Sequence, residues 1–183
     1  MNRLFTISIF TENAPGLLHR VTTIFTKRNL NIESITASES EIRGIHRYTV
    51  VLKTSYELAV KVVNQLEKQV DILKAFLHEE DEIIHQEIAL YKVPTDALMK
   101  GKEVEKIVRE HHARILTFEK EYIVIEKTGH MNETQELYDK LEPYGLLEFV
   151  RSGRVAITKP IKKLSEYLKD LENNYRFNKP LNK

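Results

Sequence analysis

Phe5, Ile7 and Ile9 alternate with polar residues, which is the period of a half-buried strand. Past Pro15-Gly16 the period changes: Leu17, Leu18, Val21, Ile24 and Phe25 recur at helical spacing. A strand, a tight loop and a helix must therefore follow one another, and the rest of the chain has to pack around them. Proline fixes φ and glycine takes positive φ without cost, so Asn13-Ala14-Pro15-Gly16 is suited to the turn. A helix opening on a glycine turn offers unpaired backbone N–H groups and the positive end of its dipole to a small carboxylate. Asn13 adds an amide that both donates and accepts. The same stretch also reads as an ordinary β-to-α turn with a capping side chain. Local chemistry leaves both readings open.

The first half continues as a regular alternation. Strands are expected over Leu4–Thr11, Asn31–Ser38, Ile45–Lys53 and Val70–Leu77, with a helix over Gly16–Arg28. Thr54-Ser55-Tyr56-Glu57 fits a capping box ahead of a second helix striped by Leu58, Ala59, Val62 and Leu66. The order β-α-β-β-α-β is that of a ferredoxin-like unit, two helices on one face of a four-stranded antiparallel sheet. The other face is left open for solvent-tolerant residues or a partner.

His78-Glu79-Glu80-Asp81-Glu82 is an acidic connection, and a boundary is expected there. The second half repeats the order: a strand over Ile84–Val93, a helix striped by Val104, Ile107, Val108 and His111, and a hairpin of Ile115–Phe118 with Tyr122–Glu126. Asn132-Glu133-Thr134-Gln135 reads as a capping box before Leu137, Tyr138 and Leu141, and the last strand segments, Leu146–Ser152 and Val155–Thr158, flank Gly153. From Pro160, Ile161, Leu164, Leu168 and Leu171 predict a short amphipathic helix with a loose end. The expected fold class is α+β, two ferredoxin-like βαββαβ domains over residues 1–79 and 80–159, with a terminal helix and tail over 160–183.

Several classes of function are disfavoured. The 183 residues carry 28 basic and 27 acidic side chains, a net charge of +1, so there is no general field for gathering phosphates. No cysteine is present, which removes disulfides, thiolate zinc sites and a cysteine nucleophile. The seven histidines show neither the i, i+4 spacing of a helical zinc site nor a His-x-His strand pair. Glycine-rich phosphate loops and Gly-x-Ser-x-Gly elbows are missing, and no carboxylate pair is marked out for acid–base work. RNA-recognition domains share the element order, but Ile45–Val51 has a single Tyr and no aromatic-glycine-aromatic run. No apolar run approaches a membrane span, and Met1-Asn2-Arg3 leads into a strand without a signal-peptide pattern, so a soluble, cytoplasmic protein is expected.

Glu12-Asn13-Ala14-Pro15-Gly16-Leu17-Leu18-His19-Arg20-Val21, followed by Arg28–Thr36 with Asn31-Ile32-Glu33-Ser34-Ile35-Thr36, resembles the ACT segment of the small, regulatory subunit of acetolactate (acetohydroxyacid) synthase. Val70-Asp71-Ile72-Leu73, Gln86–Val93 and Arg151-Ser152-Gly153 add to the resemblance, which spans about Leu4 to Thr158. Ala14-Pro15 replaces more polar loop residues of many relatives, and Pro160–Lys183 runs past where many of them stop.

The resemblance implies an N-terminal ACT domain and a ferredoxin-like C-terminal domain in a homodimer. Two ACT sheets would join edge to edge and bind a branched-chain amino acid, valine foremost, at their interface. Effector contacts then fall on Asn13, Gly16, Asn31 and Ile32, with Pro15 and Leu17 as neighbours. Such a chain does no chemistry alone and holds no metal or cofactor. It binds the catalytic large subunit, which carries thiamine diphosphate, magnesium and FAD, raises its activity and confers feedback inhibition. The alternative is an ACT-type amino-acid sensor for a different enzyme or a transcription regulator.

Overall fold

The computed structural model describes residues 2–99 and 102–159. The helix expected after Pro160 lies outside the described residues. Two compact units are present. The first holds the chain up to Ile84 together with Ile157–Lys159 among the described residues, and the second is His85–Ala156.

The first unit runs β1 (Arg3–Glu12), α1 (Leu17–Thr26), β2 (Ser34–Glu39), β3 (Ile45–Thr54), α2 (Tyr56–Leu66) and β4 (Ile72–His78). Its sheet has the order β2-β3-β1-β4 with every pair antiparallel. Alternation decides its faces. Phe5, Ile7 and Ile9 of β1 and Tyr48, Val50 and Leu52 of β3 point to one side, where Val21, Ile24 and Phe25 of α1 and Ala59, Val62 and Leu66 of α2 complete the core. The opposite side was expected to be open, yet Thr6, Ser8 and Thr49 on it are buried. Small hydroxyl side chains suit such a place because they find partners nearby: Arg47 donates to Ser8 Oγ at 3.1 Å. Burial lowers the Arg47 pKa from its ordinary value, with the Glu41 carboxylate opposing the shift.

In the second unit, β5 (Ile83–Pro94, in this unit from His85) supplies the central strand, followed by α3 (Thr95–Met99), α4 (Glu103–Glu110), β6 (Arg114–Phe118), β7 (Tyr122–Gly129), α5 (Met131–Leu141), β8 (Glu148–Arg151) and β9 (Val155–Thr158, in this unit to Ala156). The sheet order is β6-β7-β5-β8, with β9 also on β5, so both sheets place their strands as fourth, first, third, second. Ala89, Tyr91, Val93, Ile123 and Ile125 meet Val104, Val108, Leu137 and Leu141 in its core. Tyr91 keeps its hydroxyl satisfied there by donating to the Thr134 carbonyl at 2.6 Å, and burial pushes its pKa up to about 12.

Three local expectations shift. The second strand begins at Ser34, so Asn31 and Ile32 precede it. The fourth begins at Ile72, leaving Val70 exposed. The N-cap of α5 lies two residues before the expected one: it is His130, whose N–H is taken by Glu133 Oε2 at 2.6 Å.

Candidate functional site

Glycine at position 16 shapes the first half of the site. It stands immediately before α1 with φ 84, a left-handed conformation that side chains rarely adopt, and a Cβ built there would meet nothing within 4 Å. Its carbonyl accepts the Arg20 N–H at 3.2 Å, which opens the helix. No side chain caps α1, and its first turn holds no acidic residue. The other helix starts differ. Ser55 accepts the Leu58 N–H at 3.3 Å at α2, Glu133 closes a box at α5, and α3 and α4 carry acids in their first turns. The donors of Leu17 and its neighbours are thus left for water or an anion. The Leu17 side chain is buried, which anchors the backbone where α1 begins.

Asn13 is exposed beside this opening, and its N–H donates to the Gly44 carbonyl at 3.0 Å. That bond ties the loop to the turn joining β2 and β3. Gly44 is also left-handed, with φ 81 and open space where a Cβ would stand. Its N–H is held by Glu39 Oε1 at 3.2 Å.

The second half of the site lies elsewhere. After α1, Asn29 takes φ 52 and turns the chain, with the Leu30 N–H returning to Phe25 O at 3.0 Å. Asn31 is then exposed, its amide donating to Glu33 Oε1 at 3.4 Å, and Ile32 packs half-buried against the core. Register places these residues relative to the loop. Ser34 pairs with Val51, which pairs with Thr6, whereas Glu39 pairs with His46, which pairs with Thr11. Asn31 and Ile32 are therefore at the Thr6 end of the sheet, and Asn13, Pro15, Gly16 and Leu17 are beyond its Glu12 end. Six residues of strand separate the two levels, roughly 20 Å at the rise of a strand. One chain brings the loop residues together but keeps Asn31 and Ile32 apart from them.

Two family models match: "AHAS small subunit-like ACT domain" over residues 7–74, and "Small subunit of acetolactate synthase" over residues 86–160. The acetolactate synthase small subunit of Bacillus subtilis is 35% identical over 160 residues, 87% of this chain and 91% of its own. The chain belongs to the acetolactate synthase small-subunit family. The Mycolicibacterium smegmatis small subunit is 32% identical over 84% of this chain and 90% of its own. The crystal structure of the small subunit from Thermotoga maritima superposes with a TM-score of 0.79 at 26% identity, covering 87% of this chain and 99% of that one.

With the family in place, the loop at Gly16 is the β1–α1 loop of an ACT domain, and the second unit is the C-terminal domain of the small subunit. The family implies no cofactor for this chain. Among the described residues no group of three or more His, Cys, Asp or Glu stands close enough to hold a metal, and no helix is long and apolar enough to cross a membrane. Gly44 and Asn29 are site-shaping residues that sequence reasoning passed over. Both carry a signal: Gly44 closes a polar turn, and Asn29, just past α1, is of a type that enters the left-handed conformation more readily than other side chains.

Proposed function

We propose that this chain is the non-catalytic, regulatory subunit of an acetolactate synthase. It works in the cytoplasm, binds a branched-chain amino acid with valine foremost, activates the catalytic large subunit and makes it sensitive to end product. The catalytic subunit, with thiamine diphosphate, magnesium and FAD, performs the chemistry.

The observation that carries this reading is the register of the first sheet. The loop at Asn13–Leu17 and the Asn31-Ile32 segment of one chain stand at opposite ends of its first sheet, and β2 is an edge strand between them. An edge strand presents unpaired N–H and C=O groups to another strand. Antiparallel pairing of β2 with the same strand of a second copy sets the start of one beside the end of the other. Each loop then stands at the same end of the joined sheet as Asn31 and Ile32 of its partner, and the homodimer has two equal sites.

The chemistry of such a site fits a zwitterion. Backbone donors at the start of α1 receive the carboxylate, the side-chain oxygens of Asn13 and Asn31 accept from the ammonium, and Ile32 with Leu17 forms a small apolar wall. Pro15 stiffens the loop ahead of Gly16. A ligand held between two protomers prefers the arrangement in which both walls reach it, and so shifts the population of arrangements seen by the catalytic subunit.

Thermal denaturation of the full-length protein tests this directly. Valine, leucine or isoleucine raises the Tm with increasing concentration, because a ligand of the native state stabilises it by mass action. A flat response to all three beside a shift with aspartate or phenylalanine points instead to an ACT sensor of another enzyme or regulator.

A further inference from the structure

The two walls of the proposed site are not neighbours in the dimer either. In the first sheet β2 and β3 stand between a partner's strand at the β2 edge and the end of β1. Three strand spacings, roughly 14 Å, therefore separate the line of the partner's Asn31-Ile32 from the end of β1, where the Asn13–Gly16 loop begins. What closes that interval is the turn joining β2 to β3, Ser40–Gly44. It is fastened on both sides: Ser40 N–H donates to Ile45 O at 2.8 Å, Glu39 Oε1 holds the Gly44 N–H, and the Gly44 carbonyl holds the Asn13 N–H. Equal pairing about the middle of β2 sets Ser34 of one strand against Glu39 of the other, which carries Asn31 and Ile32 past the strand end and over this turn.

We propose, on the reading above, that the Ser40–Gly44 turn is the floor of the effector site and that Gly44 limits the size of the effector side chain. Gly44 resembles Gly16 in the two respects that matter. Both are left-handed, and both present open space where a Cβ would stand. The bond from Asn13 to Gly44 couples the two glycines, so the loop that receives the ligand and the turn beneath it move together. Glu39 is a positioning residue, acting through Gly44 rather than on the ligand.

The test uses the full-length protein and valine, with alanine as the smaller probe. Asparagine enters the left-handed conformation more readily than other side chains, so Gly44→Asn adds a side chain over the floor at the smallest backbone strain a substitution there allows. The variant loses a few degrees of Tm at most and keeps its oligomeric state, loses at least about tenfold in valine affinity, and loses distinctly less for alanine. Glu39→Ala weakens valine binding a few-fold and Glu39→Gln, which retains an acceptor, restores it. In the wild type, the amide resonances of Gly44 and Asn13 shift together with the dissociation constant of valine, a readout that needs no variant to fold. Wild-type valine binding with a stationary Gly44 resonance, or with Gly44→Asn at full affinity, overturns the floor and leaves the regulatory reading standing. Failure of the wild type to bind any branched-chain amino acid overturns both.

Discussion

Both units set their strands in the order fourth, first, third, second, but the chain leaves the first strand of each by a different route. In the second unit Pro94 ends β5 and Thr95 begins α3 at once, with its hydroxyl donating to Glu119 O at 2.7 Å and its N–H to Glu121 O at 3.1 Å. Asp96 lies in the first turn of α3, and Glu103 and Glu105 in that of α4. In the first unit four residues, Asn13–Gly16, intervene before α1, which starts with neither a side-chain cap nor an acid. The helix that follows the first strand thus opens with an acid in one unit and with neither cap nor acid in the other. A shared fold does not place a site; the loop between the first strand and the first helix does.

Gly16→Asp breaks the contrast most severely. It puts a carboxylate where the first unit lacks one and crowds the approach to the helix start. Valine affinity falls roughly 100-fold, equivalent to ~2.7 kcal/mol, as measured by calorimetric titration. His19→Glu makes a gentler version of the same change, giving α1 the first-turn acid that the other helices have. A helix-dipole interaction of ~0.3–1 kcal/mol raises the unliganded Tm by about 1–3 °C and weakens valine binding about two- to fivefold. Opposite signs for stability and affinity separate competition for the helix start from simple damage. The smallest effect lies in the second unit. Glu133 accepts from the His130 N–H, which holds its pKa below the ordinary 4.5. Its stabilisation is present above pH 4.5 and is lost as pH falls through the lower folded value. Glu133→Gln removes that part of the acid limb from the stability curve and leaves valine binding unchanged.

Much of this was legible in the residues. The alternation in Phe5–Ile9 and the switch to helical spacing after Gly16 yield β1 and α1 because each period has one geometric meaning. Asn31 looked like strand because Asn31–Ser38 carries no breaker; hydrogen bonding decides the matter, and regular pairing with β3 starts only at Ser34. The cap of α5 was misplaced because Asn132 is a better N-cap by type, while the backbone turns at His130. The buried second face of the first sheet was illegible for another reason: threonine and serine at Thr6, Ser8 and Thr49 suit water and a hydrogen-bonded interior equally. Sequence named the loop at Gly16 and the segment at Asn31. That they belong to opposite ends of one sheet required the register.

Mixed dimers measure that separation. Chains carrying Gly16→Asp and chains carrying Asn31→Ala are co-expressed with different affinity tags, and the doubly tagged dimer is titrated with valine. If each effector lies between the loop of one protomer and Asn31 of its partner, one of the two sites in the mixed dimer escapes both substitutions. The account predicts one valine bound per mixed dimer at wild-type affinity, from parents that both bind weakly. A mixed dimer as defective as its parents contradicts it.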